Sequence, residues 1–185
     1  MKLFIKISLL LLLPAFSIAQ KNTYWEEWNK EQLDSLRLIW QNTTNDTLRM
    51  AAARSLGWQY AESNYDSGLY FLKQQEAIAR KLNLKLWEGD ALDNVGYELS
   101  QLKNYPASLQ AFLEGIKILE DKDTEKNIWR ISMFSKAGDP RVARLHSLGW
   151  IHNDAAQLYR GTGNLPDIFF RVFIFKNLYT FKKSL

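Results

Sequence analysis

His146 and His152 are the two histidines of the chain, and both fall on one predicted helix. A separation of six residues turns them about 240° apart around a helix axis. They sit on different faces and do not make a shared metal site, so one surface and one packed histidine is the plain expectation. No HExxH spacing is present, the arrangement that puts two histidines and a base on one helical face. Carboxylate pairs occur at Glu26-Glu27, at Asp90 with Asp93 and at Asp121 with Asp123. Asp90 and Asp93 share a helix face and are the candidates for carboxylate-dependent hydrolysis. Carboxylates in helices more commonly line a solvated face. There is no GxSxG elbow, P-loop or GxGxxG, and Gly161-Thr162-Gly163 reads as a turn between helices. Cysteine is absent, which excludes a thiol nucleophile and any disulfide. No cofactor is expected.

What could position such residues is a helical chain. The sequence has 185 residues, 46% hydrophobic and 14% aromatic, with seven tryptophans. Residues 1–19 differ from the rest: Lys2 and Lys6, an apolar run from Ile7 to Leu13, Pro14, then Ser17-Ile18-Ala19. That is the layout of a secretory signal peptide cut before Gln20, and the run is short of the ~20 residues a membrane span needs. An exported chain, periplasmic or secreted, is expected, with no stable span after cleavage. The net charge of +4 falls to +2 when Lys2 and Lys6 are removed, and no basic cluster dense enough to track phosphates occurs, so nucleic acid is not an expected partner.

Apolar residues recur at helical spacing from Tyr24 onward. A first helix spans Tyr24 to Asn42 with Trp25, Trp28, Leu33, Leu36 and Trp40 near one face. A second runs from Asp46 to Glu62 with Leu48, Ala52, Ala53, Leu56 and Tyr60. A third is capped by Asp66 or Ser67 and reaches Leu82. Leu86 to Leu102 and a helix opening near Pro106 form a second pair. Helices joined by such short turns must pack antiparallel. Residues 127 to 138 are ambiguous. Asp139-Pro140 starts a last helix, expected to reach Tyr159 or Arg160. The tail, 168–185, has six aromatic residues and no acid. It reads as a buried cap, an exposed sticky patch, or a terminus not selected to end the array, the last being preferred.

Aligning the hairpins exposes an internal repeat. Val95-Gly96, Leu99, Tyr105, Ser108, Phe112 and Gly115 resemble the tetratricopeptide pattern, with gaps of twelve, four and three residues from Gly96 through Ser108 and Phe112 to Gly115. Leu56-Gly57, Tyr60, Gly68 and Leu72 resemble it with one residue missing from the turn, and Ala155-Ala156, Tyr159 and Gly163-Asn164-Leu165 give a partial third unit. The resemblance implies an all-α solenoid over 46–167, with units at 46–83, 86–120 and 140–167, preceded by a helix in 20–45. Leu56 to Val95 is 39 residues and Val95 to Ala155 is 60, so an insertion of about one helix separates the second and third units. The signal peptide followed by such hairpins is similar to the extracytoplasmic part of bacterial sensor proteins. This implies a signalling role or, in a second reading, a truncated fragment of a sensor kinase or cyclase.

In such arrays the exposed face of each first helix lines a concave groove that receives a peptide or a partner helix. Carried over, the groove residues are Arg54, Trp58 and Glu62 in the first unit and Asp90, Asp93, Tyr97 and Gln101 in the second. Trp150, Asn153, Gln157 and Arg160 belong to the third. Aromatic rings among amides and charges are the composition of binding hot spots. The competing expectation is that Trp58 and Trp150 pack between helices. The function expected is a non-enzymatic protein-binding module; the competing class is a hydrolase built on Asp90 and Asp93.

Overall fold

A computed structural model describes residues 29–61 and 63–162. The signal peptide, Trp25, Trp28, Glu62, Gly163-Asn164-Leu165 and the aromatic tail lie outside the described residues. The described chain is all-α: α1 (Lys30–Asn42), α2 (Asp46–Tyr60), α3 (Tyr65–Lys81), α4 (Lys85–Gln101), α5 (Tyr105–Glu120) and α6 (Pro140–Thr162), with two 3₁₀ turns, Lys122–Glu125 and Ile131–Met133, before α6.

Asparagine sets most of the helix starts. Asn29 and Gln32 form a reciprocal capping box on α1, and Asn45, Asn64 and Asn104 cap α2, α3 and α5. Each side-chain oxygen satisfies amides that the first turn leaves without partners. The cap of α3 is therefore Asn64 rather than Asp66 or Ser67, because its Oδ1 accepts from Ser67 N at 3.0 Å. Asp139 caps α6 as expected, accepting from the amides of Arg141 and Val142. Helices α3 and α4 end alike. Asn83 and Lys103 take positive φ angles of 53° and 61°. The next amides, of Leu84 and Asn104, then return to the carbonyls of Ala79 and Leu99 at 2.9 Å. This left-handed stop reverses the chain within three residues.

Missing β-carbons decide how closely the helices approach. A β-carbon on Gly57 would stand 2.6 Å from Leu72, and one on Gly96 2.5 Å from the Phe112 ring. Leu72 and Phe112 thus lock α3 onto α2 and α5 onto α4. Gly115 does the same between hairpins, since its β-carbon would meet Ile151 of α6 at 2.5 Å. Ser108 donates its hydroxyl to the Gly96 carbonyl at 2.7 Å.

Four expectations change. The first helix opens at Lys30 behind the Asn29 cap rather than at Tyr24. The insertion at 121–139 is no extra α-helix; it is irregular chain with two 3₁₀ turns. It is held by Trp87, whose indole N–H donates to the Trp129 carbonyl at 2.8 Å and whose ring meets Trp129 and Phe134. Helix α6 continues through Gly161 and Thr162, past the break expected at Gly161, with the Thr162 hydroxyl bonded to the Leu158 carbonyl. Leu48, in the first turn of α2, and Leu102, the C-cap of α4, were read as inward and are exposed. The core is filled instead by Met50, Leu86, Trp87 and Ile151, all fully buried.

One core position breaks the apolar rule. Glu98 is 1% exposed and neither carboxyl oxygen has a hydrogen-bond partner among the described residues. It fills the space over Gly68, where a β-carbon would lie 3.2 Å from the carboxyl. Burial pushes its pKa up to about 8.

Gly96→Ala should cost about 1–3 kcal/mol by forcing Phe112 aside. Gly149→Ala, where nothing lies within 4 Å, should be neutral or stabilise by up to about 1 kcal/mol. Urea unfolding of both variants checks the contrast, and equal effects would refute the interlock. The Glu98 carboxyl is neutral in the folded chain at pH values where an unfolded one, near 4.5, is charged. Its contribution is complete below that ordinary value and is lost as pH rises toward 8. Glu98→Gln should therefore gain stability over wild type progressively between pH 5 and 8, with no gain at pH 4.

Candidate functional site

The first helices of the hairpins, α2 and α4, are joined by a polar seam. Arg54 is 5% exposed and grips Asp90 with two hydrogen bonds, Nε to Oδ2 at 2.7 Å and Nη2 to Oδ1 at 3.0 Å. Its guanidinium lies 3.6 Å from the centroid of the Trp58 ring, and the Trp58 indole N–H donates to Asn94 at 2.8 Å. Gln75 reaches in from α3 and donates to Asp90 Oδ2 at 2.9 Å. Asp90 is thereby held as the fixed counter-charge of a buried cation. The seam resolves two sequence expectations. Arg54 and Trp58 were read as groove residues, with packing between helices as the alternative for Trp58, and the structure bonds both to α4. Asp90 was read as half of a catalytic pair with Asp93, and it is tied to Arg54.

Asp93 stands one turn further along α4 and meets another carboxylate, Asp154 of α6. Burial raises the Asp93 carboxyl well above the ordinary aspartate value, and the charges of Asp154 and Asp90 push it further; Arg54 acts weakly the other way. Asp154 is also raised by burial, opposed by its hydrogen bond from Asn153. The amides of Asn153 and Gln157 donate to Asp154 at 3.0 and 3.1 Å. Asp93 Oδ1 is sealed from solvent without a hydrogen-bond partner among the described residues.

Beside this pair, α4 and α6 enclose a recess of about 230 Å³ lined by Tyr97, Ser100, Gln101, Tyr105, Asp154, Gln157, Leu158 and Gly161. Of the groove residues inferred from sequence, Tyr97, Gln101 and Gln157 meet here. Trp150 is exposed on the same helix as Gln157 but outside the recess, its indole N–H donating to His146 at 3.1 Å. Arg160 is exposed on the last turn of α6, and Glu62 lies outside the described residues. A second recess, of about 520 Å³, lies between α1, α2 and α3 and is lined by Trp40, Arg49, Gln74 and Lys81 among others. The Lys81–Asp46 ion pair, at 2.7 Å, belongs to its wall.

His146 is exposed and His152 is buried, as the helical spacing implied. No group of three or more acids, histidines or cysteines among the described residues is placed to hold a metal ion.

Sequence reading missed Asp154, Asn94, Gln75, Tyr105 and Leu158. Gly57 and Gly96 align at 39 residues, which sets Arg54 against Asp93. The structure pairs Arg54 with Asp90 and Trp58 with Asn94, both 36 apart. Neighbouring hairpins are staggered by about one helical turn, and that stagger is a packing result that no residue spacing encodes. Tyr105 comes from the turn into α5, whose contribution to the groove has no signal in the first-helix pattern.

Arg54→Ala should destabilise the fold by about 3–5 kcal/mol, since it strands the Asp90 carboxylate in the seam. Arg54→Leu with Asp90→Leu should recover much of that loss, and a double-mutant cycle by thermal unfolding measures the coupling. Additive losses would sink the account of the seam.

No protein-family model, no curated protein and no solved structure matches this chain.

Proposed function

We propose that this chain is an exported, non-enzymatic interaction module of the tetratricopeptide-like kind. It receives a peptide or partner helix on the face shared by α4 and α6, in the manner of the sensing part of a signal-transduction protein. Two supports come from the packing. Gly57 with Leu72 and Gly96 with Phe112 repeat one interlock in successive hairpins, the construction that lets a repeat bury its neighbour's face. The observation that carries the functional reading is the recess between α4 and α6. It is open, walled by two tyrosines and two glutamine amides, and sits where the carried-over groove positions Tyr97, Gln101 and Gln157 converge. Aromatic rings with amide neighbours give contact area at low ordering cost and hydrogen bonds to an extended backbone. Trp58 is half-buried, with its ring against Arg54 and its indole bonded to Asn94, so the more exposed Tyr97 and Trp150 are the leading aromatic candidates.

One observation favours a second reading. Asp93 and Asp154 are carboxyls with raised pKa values beside a cleft, a combination that catalytic acids share. A hydrolase would draw on this pair rather than on Asp90 and Asp93.

The test is binding of the purified chain to an immobilised panel of peptides of varied composition. Tyr97→Ala should weaken the best binder by about tenfold or more, with helicity unchanged by circular dichroism. Gln110→Ala, on the exposed face of α5, should leave affinity untouched. Full affinity in a folded Tyr97→Ala chain would remove this groove from the function. Cleavage of a panel peptide, seen by mass spectrometry and lost with Asp93→Asn, would select the hydrolase reading.

A further inference from the structure

We propose that the recess between α4 and α6 is the seat of a basic side chain, lysine or arginine, carried by an extended segment of a protein partner. Its aliphatic stem lies along Leu158 and the tyrosine rings, and its charged end faces Asp154. The inference rests on the interaction-module reading and names the chemistry of the occupant.

Shape is the first argument. About 230 Å³ is below the roughly 300–1,000 Å³ of pockets that enclose whole small ligands, and it suits one long side chain of a chain lying across the opening. The lining divides as such a side chain does. Leu158, Tyr97 and Tyr105 are apolar or aromatic, and Asp154 with Gln157 is the polar end. A stem packed on apolar surface with its charge delivered to a carboxylate is how lysine and arginine bury themselves, and the ring faces add attraction for a cation.

Charge is the second argument. The seam holds one cation and three carboxylates: Arg54, then Asp90, Asp93 and Asp154. Arg54 is spent on Asp90 in a two-bond pair, which leaves Asp154, on the wall of the recess, with only the amides of Asn153 and Gln157 among the described residues. Burial raises both carboxyls, and the charge of Asp154 pushes Asp93 up further, as a like charge does. A cation delivered to Asp154 relieves that conflict and lets both carboxyls ionise. Asp93 Oδ1, buried and without a hydrogen bond among the described residues, is the unfilled acceptor behind this position. The two aspartates are not joined by a third acid or histidine in a metal-holding group among the described residues, so an organic cation fits the site better than a divalent metal.

The experiment measures fluorescence anisotropy of the full chain with a fluorescein-labelled peptide of alternating alanine and lysine. Its comparators are the same peptide with every lysine acetylated and one of alternating alanine and glutamate. The lysine peptide should bind, and acetylation should weaken it by about tenfold or more, because the buried carboxyls lose their counter-charge. Asp154→Asn and Asp93→Asn should weaken it similarly, and Asp121→Asn, an exposed acid remote from the recess, should not. Gln101→Lys leaves both acids intact, and it should also weaken binding by setting a cation at the lip. Equal affinity for the acetylated peptide, or no effect of Asp154→Asn and Gln101→Lys in folded chains, would overturn the proposal. Competition by free spermidine with the affinity of the peptide would overturn it in favour of a small amine. If a neutral panel peptide binds in a Tyr97-dependent way while the lysine peptide does not, the basic occupant falls and the interaction module stands. If nothing binds, both fall.

Discussion

Everything in this fold depends on how near two helices can come when a β-carbon is missing. At Gly57 and Gly96 the side chain of the opposing helix occupies the volume a methyl group would need. That contact fixes the pitch of each hairpin, and the left-handed stops at Asn83 and Lys103 fix where the next helix begins. Gly115 extends the same device to the contact with α6. Interiors are packed to crystal-like density, so a helix seated on a missing methyl has one position rather than a range. A polar face built on such helices inherits that positional precision without disulfides, which a chain lacking cysteine cannot form.

Helix α4 is where packing and site meet. Leu86, Trp87, Leu92 and Val95 are buried, while on its other side Asp90 and Asn94 bond to α2 and Tyr97 lines the recess with α6. The inserted segment after α5 contributes from behind. Trp129 and Phe134 close over Trp87, and Arg144, 6% exposed, binds Glu125 and the Leu119 carbonyl. A segment without regular structure thus braces the first turns of α6, the helix that completes the recess. Each of its own polar groups needs a partner in exchange, which the Trp87 indole and the Arg144 guanidinium supply.

The helices and hairpins were legible in the sequence because their signals are local. Asn45 and Asp139 announce helix starts, and apolar residues at three- to four-residue steps announce buried faces. The spacing Gly96, Ser108, Phe112 and Gly115 announced a close hairpin, and the structure puts those four residues in mutual contact or against α6. The site was legible only in part. Tyr97, Gln101 and Gln157 could be named because the resemblance to the tetratricopeptide pattern assigns the outward face of each first helix to a groove. Arg54 and Trp58 could not be separated from them, since a buried ion pair across two helices and an exposed pair of polar residues carry the same residue types. Asp154 was hidden one residue past Asn153, where a shift of 100° about the helix axis decides between the solvent and the neighbouring carboxylate. Glu98 is the sharpest case: nothing in a helical pattern of polar and apolar residues tells that a glutamate stands over a glycine instead of in water.

The seam also explains why its two ends differ although the hairpins resemble each other. Between α2 and α4 the guanidinium meets a carboxylate and the indole an amide, and Gln75 of α3 adds an N–H to the same carboxylate. A buried pair satisfied in this way mainly fixes geometry, because desolvation offsets much of its attraction. Along α4 and α6 the matching stops, and Asp154 accepts only from amides of its own helix. Burial raises both the Asp93 and Asp154 carboxyls, and the Asp154 charge pushes Asp93 further. The same face therefore passes from a half whose carboxylate is ion-paired to a half where, among the described residues, Asp154 accepts from amides alone.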